Sequence, residues 1–285
     1  DWGGRKLLIT GATGTLGHAF ARICEERALP FCLTGRAELD LADESSIAAA
    51  IERERPWAVI NAAGFVRVAD AEAEREACLA ANADGPERLA GACRDAGIKL
   101  VTFSSDLVFD GRAGRPYDET DPVNPAGVYG FSKAEAERRV LAVLDEALIV
   151  RTSAFFGPWD RYNFPWQVVS ALARGERFAA PAHVEVSPTW VPDLVHATLD
   201  LLVDGERGLW HLANPGRISW HEFARRVAEG AGYDPGRIVP AEEGERSTTA
   251  LTSARGILLR PFDDALADFL RELKETEALT ALAAE

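Results

Sequence analysis

Tyr129 and Lys133 stand four residues apart in "VYGFSK", and Ser105 and Asp106 close the apolar run "KLVTFSSD" earlier in the chain. A phenol whose reference pKa is near 10 is a poor acid or base at neutral pH, but a neighbouring ammonium stabilises its phenolate and lowers that value. Together the side chains fit one reaction: Tyr129 protonates a carbonyl oxygen, Ser105 hydrogen-bonds it, and Lys133 supplies charge while hydride reaches the carbon. Spacing alone does not establish this, since chance yields such a Tyr/Lys pair in roughly one chain in eighteen of this composition. The surroundings of the pair decide.

In "LLITGATGTLGHAF", Gly11, Gly14 and Gly17 follow a strand-like run and open a helical pattern. Gly11 permits a tight turn, Gly14 lets backbone approach a pyrophosphate, and Gly17 lets helix pack on strand, with the helix N-terminus facing the anion. "VINAAGF" places Ala62, Ala63 and Gly64 at another strand end, where small residues let backbone lie against a cofactor. At the end of the second strand, Arg36 in "TGRAELDLAD" occupies the position where an NAD site usually carries an acid. Its guanidinium suits a 2′-phosphate, so NADP(H) is preferred and NAD(H) is the alternative.

These residues need a scaffold that brings strand ends together. "KLLIT", "FCLT", "WAVINAA", "KLVTFSS" and "ALIVRTS" alternate with Ala- and Glu-rich stretches, the pattern of βαβ units. The expected fold class is α/β: a doubly wound, Rossmann-like parallel sheet over residues 1–154. Recurrence of Val140, Val143 and Leu144 at helical spacing puts Tyr129 and Lys133 on one face of a helix. Beyond it the chain turns to "GPWDRYNFPWQ" and "GYDPGRIVPAEEGERSTT", so residues 155–285 read mainly as a smaller substrate lobe, with segments near 181–213 returning to the first domain. The Trp residues at 159, 166 and 190 read as core.

Composition narrows the partners. A net charge of -14 over 285 residues works against binding nucleic acid or an anionic membrane. No apolar run reaches the ~18 residues of a membrane span. Four scattered cysteines and five histidines show no metal-ligand spacing, so no metal is expected and a cytoplasmic location fits. The sequence contains no Met and begins at Asp1, which is compatible with a domain cut from a longer chain.

The G-x-x-G-x-x-G loop, the strand-end Ser105 and the Tyr129/Lys133 pair together resemble the extended branch of the short-chain dehydrogenase/reductase superfamily. More closely, "SSDLVFDGRAGRPYDETDPVNPAGVYGFSKAEAE", "LIVRTSAFFG", "NF" and "VSPTWVPDL" are similar to the dTDP-4-dehydrorhamnose reductase family. That resemblance implies NADPH-dependent reduction of the 4-keto group of a nucleotide-linked 6-deoxyhexose, with the protein a monomer or homodimer. It implies cofactor contacts from Gly11, Thr13, Gly14, Thr15, Leu16, Gly17, Arg36, Asp40, Leu41, Ala62, Ala63, Gly64, Tyr129 and Lys133; in the sequence, Asp40 and Leu41 read as opening the next strand. Val66, Val68, Ser105, Asp106, Tyr129 and Asn163 are the implied substrate contacts.

Ser105 replaces the family's usual Thr and keeps the hydroxyl, while three departures bear on the substrate and assembly: Leu107 and Ala154 replace pocket aromatics, and Ala19 stands where some dimeric members carry a metal-binding Glu. Two other functions share this framework. A sugar-nucleotide epimerase or dehydratase uses the same pair with retained NAD. The regulatory subunit of methionine adenosyltransferase resembles the family, binds NADP and acts through a partner.

Overall fold

The structure, a computed structural model, describes residues 4–241 and 244–282, so Glu242 and Glu243 of the turn-rich stretch lie outside it. In chain order the first elements are β1 (Leu7–Thr10), α1 (Thr15–Glu26), β2 (Phe31–Thr34), α2 (Glu44–Glu54), β3 (Ala58–Asn61), α3 (Arg75–Leu79), α4 (Gly85–Ala96), β4 (Lys99–Ser105), α5 (Val128–Val143) and β5 (Leu148–Thr152). Then follow β6 (Phe155–Phe156), α6 (Phe164–Ala173), β7 (Phe178–Ala180), β8 (Val184–Val186), β9 (Thr189–Trp190), α7 (Val191–Asp204) and β10 (Gly208–His211). The last are β11 (Ile218–Ser219), α8 (Trp220–Gly230), β12 (Ile238–Pro240), β13 (Ser247–Thr248) and α9 (Phe262–Leu282).

The chain divides into two compact units, the first being residues 1–110, 119–152 and 195–211 and the second residues 111–118, 153–194 and 212–285. In the first, β10-β5-β4-β3-β1-β2 form a six-stranded sheet in which every pairing is parallel. β1, β3 and β5 are buried along their whole length, as a sheet covered on both faces requires, and this is why they read as unbroken apolar runs. One face is closed by a core that includes Leu8, Val59, Leu89, Ala90, Val140 and Ile149. From β1 the chain goes outward to β2 and then back across to β3, so the direction of winding reverses between β1 and β3. In open α/β sheets that reversal opens the crevice where ligands bind.

The second unit carries shorter pairings: β11-β8-β13, β12-β7 and β6-β9. Its core is aromatic, with Phe156 within 6.1 Å of the rings of Trp190, Phe223, Phe262 and Phe269. Trp190, 3% exposed, and Trp166, edge-on to Phe269 at 5.9 Å, belong to this packing. Among the described residues, no helix is long and apolar enough to cross a membrane.

Candidate active site

The crevice between β1 and β3 is built from glycine. Gly11 has φ 88°, in the left-handed region, and a Cβ there would stand 2.7 Å from the Ala62 carbonyl oxygen. A Cβ on Gly17 would collide with the Gly11 carbonyl. The loop therefore lies against Ala62 and Ala63 with no room for a side chain at Gly11 or Gly17. α1 starts from Gly14 without a side-chain cap or an acid in its first turn, which leaves its positive end for an external anion. Leu16 is buried beneath the loop, Thr15 opens the helix, and Thr13 is exposed at the loop tip. Beneath lies a polar row in register across the sheet: Thr10 donates to Asn61 Oδ1 at 2.8 Å, Asn61 Nδ2 donates to Thr102 at 3.2 Å, and Ala63 N donates to Thr10 Oγ1 at 3.3 Å. This row fixes the backbone of "NAAG". The site thus fits a dinucleotide pyrophosphate.

Arg36 lies exposed in the turn after β2. Two residues on, Glu38 accepts from Gly35 N at 2.9 Å, so this turn offers both a cation and a carboxylate. Asp40 and Leu41 do not open a strand, contrary to the sequence reading. Asp40 Oδ1 accepts from Ala42 N at 2.9 Å and Asp43 accepts from Ser45 N at 2.9 Å, so the aspartates bend the chain and cap α2. Short acidic side chains that bond to backbone two residues on favour turns over strand.

Tyr129 and Lys133 both project from the first turns of α5. Lys133 Nζ donates to the Phe103 carbonyl at 3.3 Å and lies 5.8 Å from the Tyr129 ring centre. A Cβ on Gly64 would approach it to 3.7 Å, so Lys133 sits beside the "NAAG" loop as well. Ser105 Oγ, 8% exposed, accepts from Leu107 N at 3.1 Å and donates to Asp106 Oδ1 at 3.1 Å. The expected depression of the phenol pKa is not found. Burial raises the Tyr129 pKa, and the Asp106 carboxylate and Cys78 add to the rise, while burial lowers Lys133 to about 8. Desolvation is the largest cause, and Tyr129 is held as a neutral phenol.

Several residues with no sequence signal complete the arrangement. A Cβ on Gly130 would collide with the Leu107 carbonyl, so its missing side chain lets the first turn of α5 rest on the turn that follows Ser105. Asn82 lies in a π-helical turn, Ala80–Asp84. Its Oδ1 accepts from Phe65 N at 2.8 Å, and its Nδ2 donates to Phe65 O and to Ser132 Oγ, both at 3.1 Å. Ser132 in turn donates to the Tyr129 carbonyl at 2.7 Å. Deeper in α5, Glu137 receives Arg151 through Nε at 2.8 Å and Nη2 at 2.6 Å, and also Ser104 Oγ. Arg151 is 2% exposed and Glu137 5%, so this pair pins α5 to β4 and β5 from within the core.

The remaining candidates stand apart from these. Val66 and Val68 are 72% and 49% exposed on the loop after β3, open to a ligand rather than packed. Asn163 donates to the carbonyls of Gly157 at 2.8 Å and Asp160 at 2.6 Å and accepts from Trp166 N at 3.3 Å. Its amide is committed to its own loop and to the cap of α6, which leaves it little capacity to bond a sugar. Ala19 is fully buried in α1, and among the described residues no group of three His, Cys, Asp or Glu is placed to hold a metal.

Residues 5–274 match the model of a family described as the RmlD substrate binding domain. A dTDP-4-dehydrorhamnose reductase of Mycobacterium tuberculosis is 38% identical over 84% of this chain and 80% of its own length. A dTDP-4-keto-6-deoxy-D-glucose reductase of Streptomyces niveus is 35% identical over 82% of each. The crystal structure of dTDP-4-dehydrorhamnose reductase from Bacillus anthracis, in complex with NADP, matches 94% of this chain and 98% of its own with a TM-score of 0.88 and 28% identity. Fold, crevice and relatives define an oxidoreductase of the extended short-chain dehydrogenase/reductase superfamily. Within it, the chain belongs to the dTDP-4-dehydrorhamnose reductase family.

Proposed function

We propose that the protein reduces the 4-keto group of a dTDP-linked 6-deoxyhexose, using NADPH. The observation that carries this reading is the neutral Tyr129 beside Lys133 on α5, with Ser105 at the strand end just before the turn against which that helix rests. The nicotinamide supplies hydride to the carbonyl carbon. Tyr129 gives its proton to the developing alkoxide, which a phenol with a raised pKa is protonated to do. Ser105 turns its hydroxyl from Asp106 to the same oxygen, and the Lys133 ammonium, charged below about pH 8, stabilises the phenolate left behind. The glycine loop and Thr13, Thr15 and Leu16 hold the pyrophosphate, Ala62, Ala63 and Gly64 flank the cofactor, and Asp40 and Leu41 border the adenine. Val66, Val68 and Asp106 contact the sugar, and the second unit serves as the substrate lobe, with Asn163 shaping its 157–163 loop.

Arg36 favours NADPH by pairing with the 2′-phosphate, while Glu38 two residues away is suited to the free ribose hydroxyls of NADH. The relatives act on differently named sugars at similar identity, so dTDP-4-dehydro-L-rhamnose is the first substrate to test. With it, the protein is expected to oxidise NADPH, and Tyr129→Phe to lose turnover by at least about a hundredfold while still binding NADPH. Arg36→Ala should weaken NADPH more than NADH. Tight binding of NADPH without oxidation by any 4-keto sugar would reject the reading.

A further inference from the structure

The helix that carries Tyr129 has no cap of its own. Its N-cap is Gly127, which offers no side-chain acceptor, yet Val128 N donates to Glu72 Oε1 at 2.9 Å. A Cβ on Gly127 would lie only 3.3 Å from that oxygen, so the glycine makes the approach easy. Glu72 comes from the loop between β3 and α3, the loop that carries Val66 and Val68. That loop is braced internally: Arg67 pairs with Asp70 at 2.7 Å and Glu74 at 2.9 Å and lies 5.1 Å from the Phe65 ring centre. At its base Ala71, Cys78 and Val128 pack with Phe65 and Tyr129. A carboxylate at a helix N-terminus is favoured by both the free N–H groups and the helix dipole.

We propose that Glu72 is a positioning residue: it caps α5 from the Val66–Val68 loop, so that a sugar nucleotide engaging this loop also sets the position of Tyr129. The inference rests on the reductase reading for its substrate, but the cap itself does not. Two hydrogen-bonded connections between loop and helix end on the backbone that flanks the Tyr129 side chain. Glu72 holds the amide of the residue before Tyr129, and Asn82, bonded to Phe65, reaches the Tyr129 carbonyl through Ser132. A shift of the loop is therefore transmitted to the backbone on both sides of Tyr129, whereas Lys133, one turn on, is held separately by the Phe103 carbonyl.

The test compares Glu72→Ala and Glu72→Gln by amide hydrogen exchange over residues 127–133 and by turnover. Without ligand, Glu72→Ala should speed exchange at the start of α5 by about tenfold, and Glu72→Gln, whose amide oxygen still accepts, should restore most of the protection. With NADPH and keto sugar, Glu72→Ala should lower kcat by about tenfold with NADPH affinity unchanged, and Glu72→Gln should keep most of the turnover. Saturating dTDP-rhamnose should slow exchange of this segment in the unmutated protein and do so far less in Glu72→Ala. Unchanged exchange or full kcat in Glu72→Ala overturns the proposal, as does a failure of the ligand to protect the unmutated segment while it binds. An unmutated protein that turns over no keto sugar counts against the reductase reading alone, because ligand-free exchange still decides the cap.

Discussion

Lys133 is a charge kept in a poor place for a charge. Its pKa falls from 10.5 to about 8, with burial the largest cause and Cys78 and Glu137 opposing it. Between those two values the unfolded chain binds the proton and the folded chain releases it, so the stability contributed by this group rises with pH across about 8 to 10.5. Below pH 8 folding carries a desolvated ammonium. Lys133→Met should therefore stabilise the ligand-free protein at pH 7 by about 2 kcal/mol, an advantage that fades as the pH approaches 10.5, read from urea unfolding at the two pH values. The same substitution should abolish turnover. A variant that is more stable and inactive would show that the lysine is retained for chemistry.

At the scale of elements, the reaction depends on how closely α5 rests on the turn after β4. Gly130→Ala places a methyl group against the Leu107 carbonyl, and backbone on both sides resists displacement. The expected result is a loss of about 2 to 3 kcal/mol in stability, with kcat reduced more than NADPH affinity because Ser105 and Tyr129 move apart. Thermal unfolding and NADPH titration would check both. The strands that hold these parts were legible because each is an apolar run bounded by turn formers, and the glycine loop was legible because its chemistry is local in sequence. "LDLAD" was misread since its two leucines outweighed the aspartates that bend it. The sign of the Tyr129 shift was also missed, because adjacency of Lys133 can be read from spacing while depth of burial cannot. Glu137 and Arg151, fourteen residues apart, and Asn82 in its π-helical turn gave no pattern at all, since only tertiary packing brings them into use.

For the molecule as a whole, every proposed cofactor residue lies within the first of the two units. NADPH at a hundred times its Kd should stabilise the folded state by about 2.7 kcal/mol. That corresponds to a rise of several degrees in the unfolding temperature of the first unit. Calorimetry would resolve whether the second unit follows it, and Gly17→Ala, which blocks the loop, should remove the shift. The four cysteines are free, and burial raises Cys24 to about 11 and Cys93 to about 12, so neither thiol is a thiolate at neutral pH.

The sheet of the first unit is finished by β10, which pairs with β5 in parallel only after the chain has passed through residues 153–194 of the other unit. During synthesis on the ribosome, β5 is thus an open edge for about sixty residues of elongation, with its N–H and C=O groups available to another nascent chain. Arg151, the next-to-last residue of that strand, must meanwhile find Glu137 before its charge can be enclosed. Residues 208–211 therefore complete the sheet late, and this edge of β5 lacks a strand partner until they reach it.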